Sequence, residues 1–299
     1  MKLVANGLPI EVDDSGGADR PVILMIMGLG MQLTGWPDEM VDAFLRRGFR
    51  VVRFDNRDSG LSQGFDDVVV GNLFWQSLRH RLGLQIRTAY SLQDMALDAL
   101  GVLDALQIEQ AHVIGASMGG MIAQRVAASA PARVRSLVSI MSSSGAAGLP
   151  GPRPKVAAAL LKQPADKSEA GLVAHGLKFV RLIASPSYPQ EDPLVAARIL
   201  GYLQRAYRPS GTLRQMLAVA ADKDRAALLE KVRSPTLVLH GDADPLVPVE
   251  CGRNTAKRIA GARFVGIPGM GHDLPPPVVE MLLECIFPFI DSVENMNEH

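Results

Sequence analysis

Residues Pro21–Met27 read PVILMIM and stop at Gly28. An uninterrupted apolar run of this length, rich in β-branched residues, is what a strand buried on both faces looks like. Only a sheet covered on both sides can accept it, so the rest of the chain has to supply two layers of cover. It does. Short β-branched runs alternate with longer amphipathic ones, and no internal repeat or long low-complexity tract interrupts them. After a leading strand pair over Met1–Val12, turning at Asn6-Gly7, strands are predicted at Phe49–Phe54, Ala111–Ile114, Val134–Ile140, Pro235–His240 and Ala262–Ile267. Helical spacing marks Pro37–Arg47, Ser91–Leu106 with Ser91 as its cap, Gly119–Ser129 and Met281–Ile290. The pattern is that of an α/β protein with a parallel sheet.

One stretch breaks the alternation. From residue 145 to 216 no convincing strand is found; a Gly/Pro-rich hinge (Gly145, Gly148, Pro150, Gly151, Pro152, Pro154) leads into helical segments. A structureless connection of that length is rare in a compact domain, so a helical insertion is expected. The remaining residues, 1–144 and 217–299, then form one core domain.

Composition narrows the function classes. Lys+Arg and Asp+Glu balance at 31 each, which gives no electrostatic reason to expect nucleic-acid or membrane-surface partners. The two cysteines, Cys251 and Cys285, make no disulfide framework and read as free thiols of a reducing compartment. Polar residues from Asn6 to Asp14 interrupt the N-terminus, and no segment reaches the ~20 apolar residues of a membrane span. A cytoplasmic protein acting on a small molecule is the expectation.

Chemistry concentrates at Gly115-Ala116-Ser117-Met118-Gly119. A β-run enters this G-x-S-x-G segment and a helix leaves it, the context in which a serine projects from a tight strand-to-helix turn with small residues around it. The amide of Met118 then opens a helix and can donate to a developing oxyanion. A second donor is expected from the glycine-rich loop Met27-Gly28-Leu29-Gly30-Met31, with the Leu29 amide first and Gly28 next. A serine needs a base. Of the six histidines, His80 sits among arginines, His112 lies within a strand, His175 falls in the insertion, His240 ends a strand and His299 is terminal. His272 follows the last strand in a Gly-flanked loop, where open parallel sheets build their sites. A carboxylate must orient that base, and Gly241-Asp242-Ala243-Asp244-Pro245 offers two. Spacing favours Asp244 only slightly.

These residues resemble the α/β-hydrolase superfamily across nearly the whole chain. Four segments carry the likeness: Met27–Gly30, Asp55–Ser62, Gly115–Gly120, and His240–Pro248 with Gly271-His272. The resemblance implies an eight-stranded, mostly parallel sheet flanked by helices, with a helical cap over 145–216 between strands six and seven. It implies Asp244 rather than Asp242 as the acid, and a Ser117-His272-Asp244 triad. Asp55 and Arg57 would brace loops. Met27 stands where many members have a histidine, and with Gly35-Trp36-Pro37 this resembles bacterial carboxylesterases of the aclacinomycin methylesterase-like subgroup. A serine esterase cleaving small to medium apolar esters without metal or organic cofactor is therefore implied. No zinc-ligand spacing and no phosphate-binding loop is found.

Ser117 argues against dehalogenases and epoxide hydrolases of this fold, which carry an aspartate there. The lack of proline from Met27 to Gly35 argues against a perhydrolase. A lactonase, a carbon–carbon bond hydrolase or a receptor would use the same parts. Met27, Met31, Met118, Met121, Met141 and Met270 cluster near the site, as adaptable apolar walls or as core filler.

Overall fold

A computed structural model describes residues 1–68 and 86–297; His80 and His299 lie outside the described residues. The chain builds β1 (Lys2–Ala5), β2 (Leu8–Asp14), β3 (Val22–Ile26), α1 (Asp38–Arg46), β4 (Arg50–Phe54), α2 (Leu92–Ala105), β5 (Ala111–Ala116), α3 (Met118–Ser129) and β6 (Val134–Ile140). Helices α4 (Pro154–Leu161), α5 (Glu169–Ile183), α6 (Asp192–Arg205), α7 (Pro209–Ala221) and α8 (Arg225–Leu228) follow. The chain then closes with β7 (Thr236–Gly241), α9 (Val249–Arg258), β8 (Arg263–Ile267) and α10 (Pro276–Asn297).

The eight strands form one sheet in the order β1-β2-β4-β3-β5-β6-β7-β8. β1/β2 and β2/β4 pair antiparallel; every pair from β4/β3 to β7/β8 is parallel. All of β3 is buried, and its residues alternate between two cores. Leu24 and Ile26 face the cluster containing α2 and α3, while Ile23 and Met25 face the one containing α1 and α10. The run PVILMIM is thus apolar because it serves both layers. Chain order reverses across β3, whose neighbours are β4 and β5, so the carboxyl ends of β3 and β5 open side by side.

Two boundaries differ from the sequence expectation for identifiable reasons. α10 is far longer than Met281–Ile290. Pro276 and Pro277 sit in its first turn, where a missing N–H costs nothing. Its buried stripe of Val278, Leu282, Ile286, Ile290 and Val293 runs straight through Pro288. α7 continues unbroken through the boundary expected at 216 and ends at Ala221.

Between β6 and β7 the described residues form helices and no strand. α4, α5 and α6 bury one residue each, Val156, Ile183 and Val195, whereas α7 buries Gly211, Arg214, Gln215, Leu217 and Ala218. α7 is therefore the most firmly anchored of these four helices. Arg214 forms a fork with Asp58, and Gln215 accepts from the Gly30 amide at 2.8 Å. Arg205 of α6 pairs with Asp55 at 2.8 Å, and Asp55 also accepts from the Leu33 and Leu61 amides. Arg57 pairs with buried Asp98 of α2. Asp55 thus ties the loops after β3 and β4 together, and Arg57 ties the loop after β4 to α2. No helix among the described residues is long and apolar enough to cross a membrane.

Candidate active site

Ser117 sits between β5 and α3 at φ 54° and ψ −120°. A non-glycine residue holds such a backbone only when its surroundings enforce it, at a cost of about 1–3 kcal/mol. The surroundings are visible. The Ser117 amide donates to the Ile140 carbonyl at 2.9 Å, and its own carbonyl accepts from the Ser142 hydroxyl at 2.7 Å. The flanking glycines permit the turn by close approach. A β-carbon at Gly115 would strike the Gly119 carbonyl, one at Gly119 would strike the Ile26 carbonyl, and one at Gly120 would lie 2.6 Å from Ser142 Cβ. Small residues here are a packing requirement of the turn.

The loop after β3 lies against this turn. A β-carbon at Gly28 would come within 3.2 Å of Ser117 Cβ. Gly28 thus lies against the serine with Leu29 next to it in the chain, and neither the Leu29 nor the Met118 amide donates to another described residue. The Met118 amide is the first of α3, where the helix dipole adds to its pull on an anion.

His272 reaches the serine from the loop after β8. Its Nε2 lies 3.0 Å from Ser117 Oγ, and its Nδ1 lies 2.7 Å from Asp244 Oδ2. Burial works against charge on Asp244, but the facing His272, hydrogen bonds from His240 and His272 and the Val247 amide outweigh it. Its pKa therefore falls well below the usual carboxylate range. An ionised carboxylate only accepts, so Nδ1 carries the proton and Nε2 presents its lone pair to the serine hydroxyl. Asp244 Oδ1 is held by the Leu246 and Val247 amides, both at 2.8 Å.

The rival acid lies elsewhere. Asp242 is exposed and accepts from the Gly269 amide at 2.7 Å, pinning the loop that carries His272. The other described histidines have structural surroundings. His112 is fully buried between Ser136 (2.8 Å) and Glu294 (3.1 Å). His240 is buried against the Val247 carbonyl at 2.7 Å and comes within 3.5 Å of Asp244 Oδ2. His175 is half-buried on α5. Met27, Met118, Met121, Met141 and Met270 are buried in the two cores and fill them, while Met31 stays partly exposed. Cys251 and Cys285 are free thiols.

Sequence reasoning missed the supports. Ser142, which fixes the Ser117 carbonyl, lies in an unremarkable serine run; His240 was seen only as the end of a strand. No local pattern marks Ser142, because it acts from the end of β6 on the turn after β5; His240 acts within its own segment, four residues before Asp244.

The loop after β3 is tied to α6 and the residue that follows it. Gln32 Nε2 donates to the Tyr202 and Ala206 carbonyls, each at 2.9 Å. A gap of about 190 Å³ remains between Gly30–Gln32 and Tyr202–Thr212, below the roughly 300 Å³ at which ligand pockets begin.

Comparison with known proteins agrees with this architecture. Rhodomycin D methylesterase DauP of Streptomyces sp. (strain C5) is 30% identical over 288 residues, covering 90% of each chain. Rhodomycin D methylesterase DnrP of Streptomyces peucetius matches over the same span at the same identity. Among solved structures, the enol-lactonase of Burkholderia xenovorans LB400 superposes with a TM-score of 0.72 at 20% identity, over 97% of this chain and 100% of the other, a likeness of fold. The family model described as the alpha/beta hydrolase fold matches residues 21–275, and the chain belongs to that family.

Proposed function

We propose that this protein is a carboxylic ester hydrolase that works through an acyl-enzyme on Ser117. The observation that carries the proposal is the continuous hydrogen-bonded line Asp244–His272–Ser117, at 2.7 and 3.0 Å, ending on a serine in a strained turn. His272 Nε2 takes the hydroxyl proton as Oγ bonds to the ester carbonyl carbon. Asp244 holds the tautomer and stabilises the imidazolium. The Leu29 and Met118 amides receive the oxyanion. The carbon–oxygen bond to the alcohol breaks and His272 returns the proton to the leaving oxygen. Water, deprotonated by the same nitrogen, then attacks the acyl carbon, releasing the acid and restoring Ser117.

The relatives named as methylesterases support an ester with a small alcohol group. Residues 145–221 act as the cap in this reading, and the apolar insertion supports an apolar acyl group of small to medium size. The test is hydrolysis of methyl esters and of a chain-length series of p-nitrophenyl esters by wild type and Ser117→Ala. A clear wild-type activity lost in the variant is expected. Equal activity in the two proteins refutes the nucleophile. A wild type inactive on every ester but active on lactones or carbon–carbon bonds refutes the ester class.

A further inference from the structure

The loop carrying His272 contains Gly269, at φ 67°, and Gly271, so it has little stiffness of its own. Yet a general base must be held to a fraction of an ångström. The chain leaving α5 supplies the hold. The Ile183 carbonyl accepts from the His272 amide at 2.7 Å, and Ser185 Oγ accepts from the Gly271 amide at 2.8 Å. The same hydroxyl donates to Asp273 Oδ1, which also accepts from the Ser185 amide at 2.9 Å. Gln190 Nε2 donates to the other Asp273 oxygen at 3.2 Å. Three consecutive residues around the base are thus gripped by one short segment of the insertion. Ser185 is 1% exposed, so water does not compete for its bonds. A β-carbon at Gly271 would lie 2.5 Å from the Ala184 carbonyl, which shows how closely the two segments run.

We propose that Ser185 is a positioning residue: its hydroxyl, relayed to Asp273, splints the base loop so that His272 Nε2 stays on the serine, and the insertion thereby sets the rate of the chemical step as well as covering the site. The inference rests on His272 being the base. A splint differs from a general stabiliser in what it changes. Losing it leaves substrate contacts alone and lowers kcat, because the base spends less time in line.

The experiment measures kcat, KM and Tm on a p-nitrophenyl ester for wild type, Ser185→Ala, Ser185→Thr, Asp273→Asn, Ser168→Ala and His272→Ala. Ser168 caps the same helix, α5, through the Gly171 amide at 3.1 Å, remote in sequence from the base loop, and serves as the structural control. Ser185→Ala is expected to lower kcat about tenfold with KM within about twofold, within the hundredfold scale for a misplaced reacting group. Threonine, which keeps the hydroxyl, restores most of it. Asp273→Asn lowers kcat in the same direction, and it carries the test should Ser185→Ala not fold. Ser168→Ala lowers Tm and leaves kcat unchanged. Wild-type kcat in folded Ser185→Ala and Asp273→Asn, with His272→Ala inactive, overturns the splint while leaving the base assignment standing. An equal kcat loss in Ser168→Ala overturns it too, by reducing the effect to stability. Activity retained in His272→Ala overturns the base assignment, and the splint with it.

Discussion

Replacing Asp244 by asparagine is a nearly isosteric change whose consequence can be worked from the hydrogen bonds of its two oxygens. Asp244 Oδ1 accepts from two backbone amides at 2.8 Å each, and Oδ2 faces His272 Nδ1 at 2.7 Å. In Asp244→Asn the two amides require an oxygen at the Oδ1 position, so the new NH2 must take the Oδ2 position. The flipped rotamer would set an NH2 against two N–H donors, leaving both amides unsatisfied at about 1–3 kcal/mol each. The 3.5 Å approach of His240 to Oδ2 opposes this orientation, but one long contact does not outweigh two short bonds. An NH2 facing Nδ1 donates to it. His272 then carries its proton on Nε2 and points a donor, not a lone pair, at Ser117. The serine loses its base with every atom in place.

A triad with its orienting aspartate converted to asparagine loses kcat by about 10⁴-fold, or about 5.4 kcal/mol of transition-state stabilisation. The assay is kcat on the best p-nitrophenyl ester at pH 7.5, with circular dichroism to show that Tm moves by only a few degrees. Asp242→Asn is the paired control: its carboxylate only anchors the Gly269 amide, so kcat should stay within about tenfold, the worth of one ordinary hydrogen bond. The reasoning is refuted if folded Asp244→Asn keeps kcat within tenfold of wild type, or if Asp242→Asn shows the larger loss.

Two further predictions concern the frame around the site. Arg214 is 4% exposed and forks onto fully buried Asp58, so Arg214→Met leaves a buried carboxylate without its countercharge, held only by the Tyr90 hydroxyl and the Phe65 amide. This should cost about 3–5 kcal/mol, lowering Tm by about 5–8 °C for a chain of this length; neutralising the partner in the double variant with Asp58→Asn should recover part of it, and a Tm within 2 °C of wild type in the single variant would sink the idea. Burial lowers the His112 pKa from 6.5 to about 4, with Arg135 adding to the effect and Glu294 opposing it. Above pH 6.5 the imidazole is neutral folded and unfolded, whereas below it the unfolded chain binds the proton first. Stability should thus fall between about pH 6.5 and 4, by up to about 3 kcal/mol. Urea denaturation of His112→Gln should show a flatter dependence over that window, and an unchanged slope would contradict the burial argument.

The local chain carries much of this protein. PVILMIM reads as a strand buried on both faces, and the structure puts its alternate residues into two different cores. GASMGG can only be a turn whose neighbours press close, and a β-carbon at Gly115, Gly119 or Gly120 has no room. Short-range sterics and hydrophobic period are written residue by residue, so both were legible before any coordinates. α10 was legible only in its middle, because Pro276 and Pro277 read as a break although they sit in its first turn, and because its buried stripe runs on to Val293 beyond the last dense apolar run. What the tertiary structure decided are the contacts between residues far apart in the chain. Asp242 and Asp244 are near-equivalent in sequence, yet one reaches the Gly269 amide and the other His272. Ser185 and Asp273 are 88 residues apart, and nothing near either one signals that they meet. Their partnership follows from where α5 ends beside the loop after β8, a position set by long-range packing rather than by any motif.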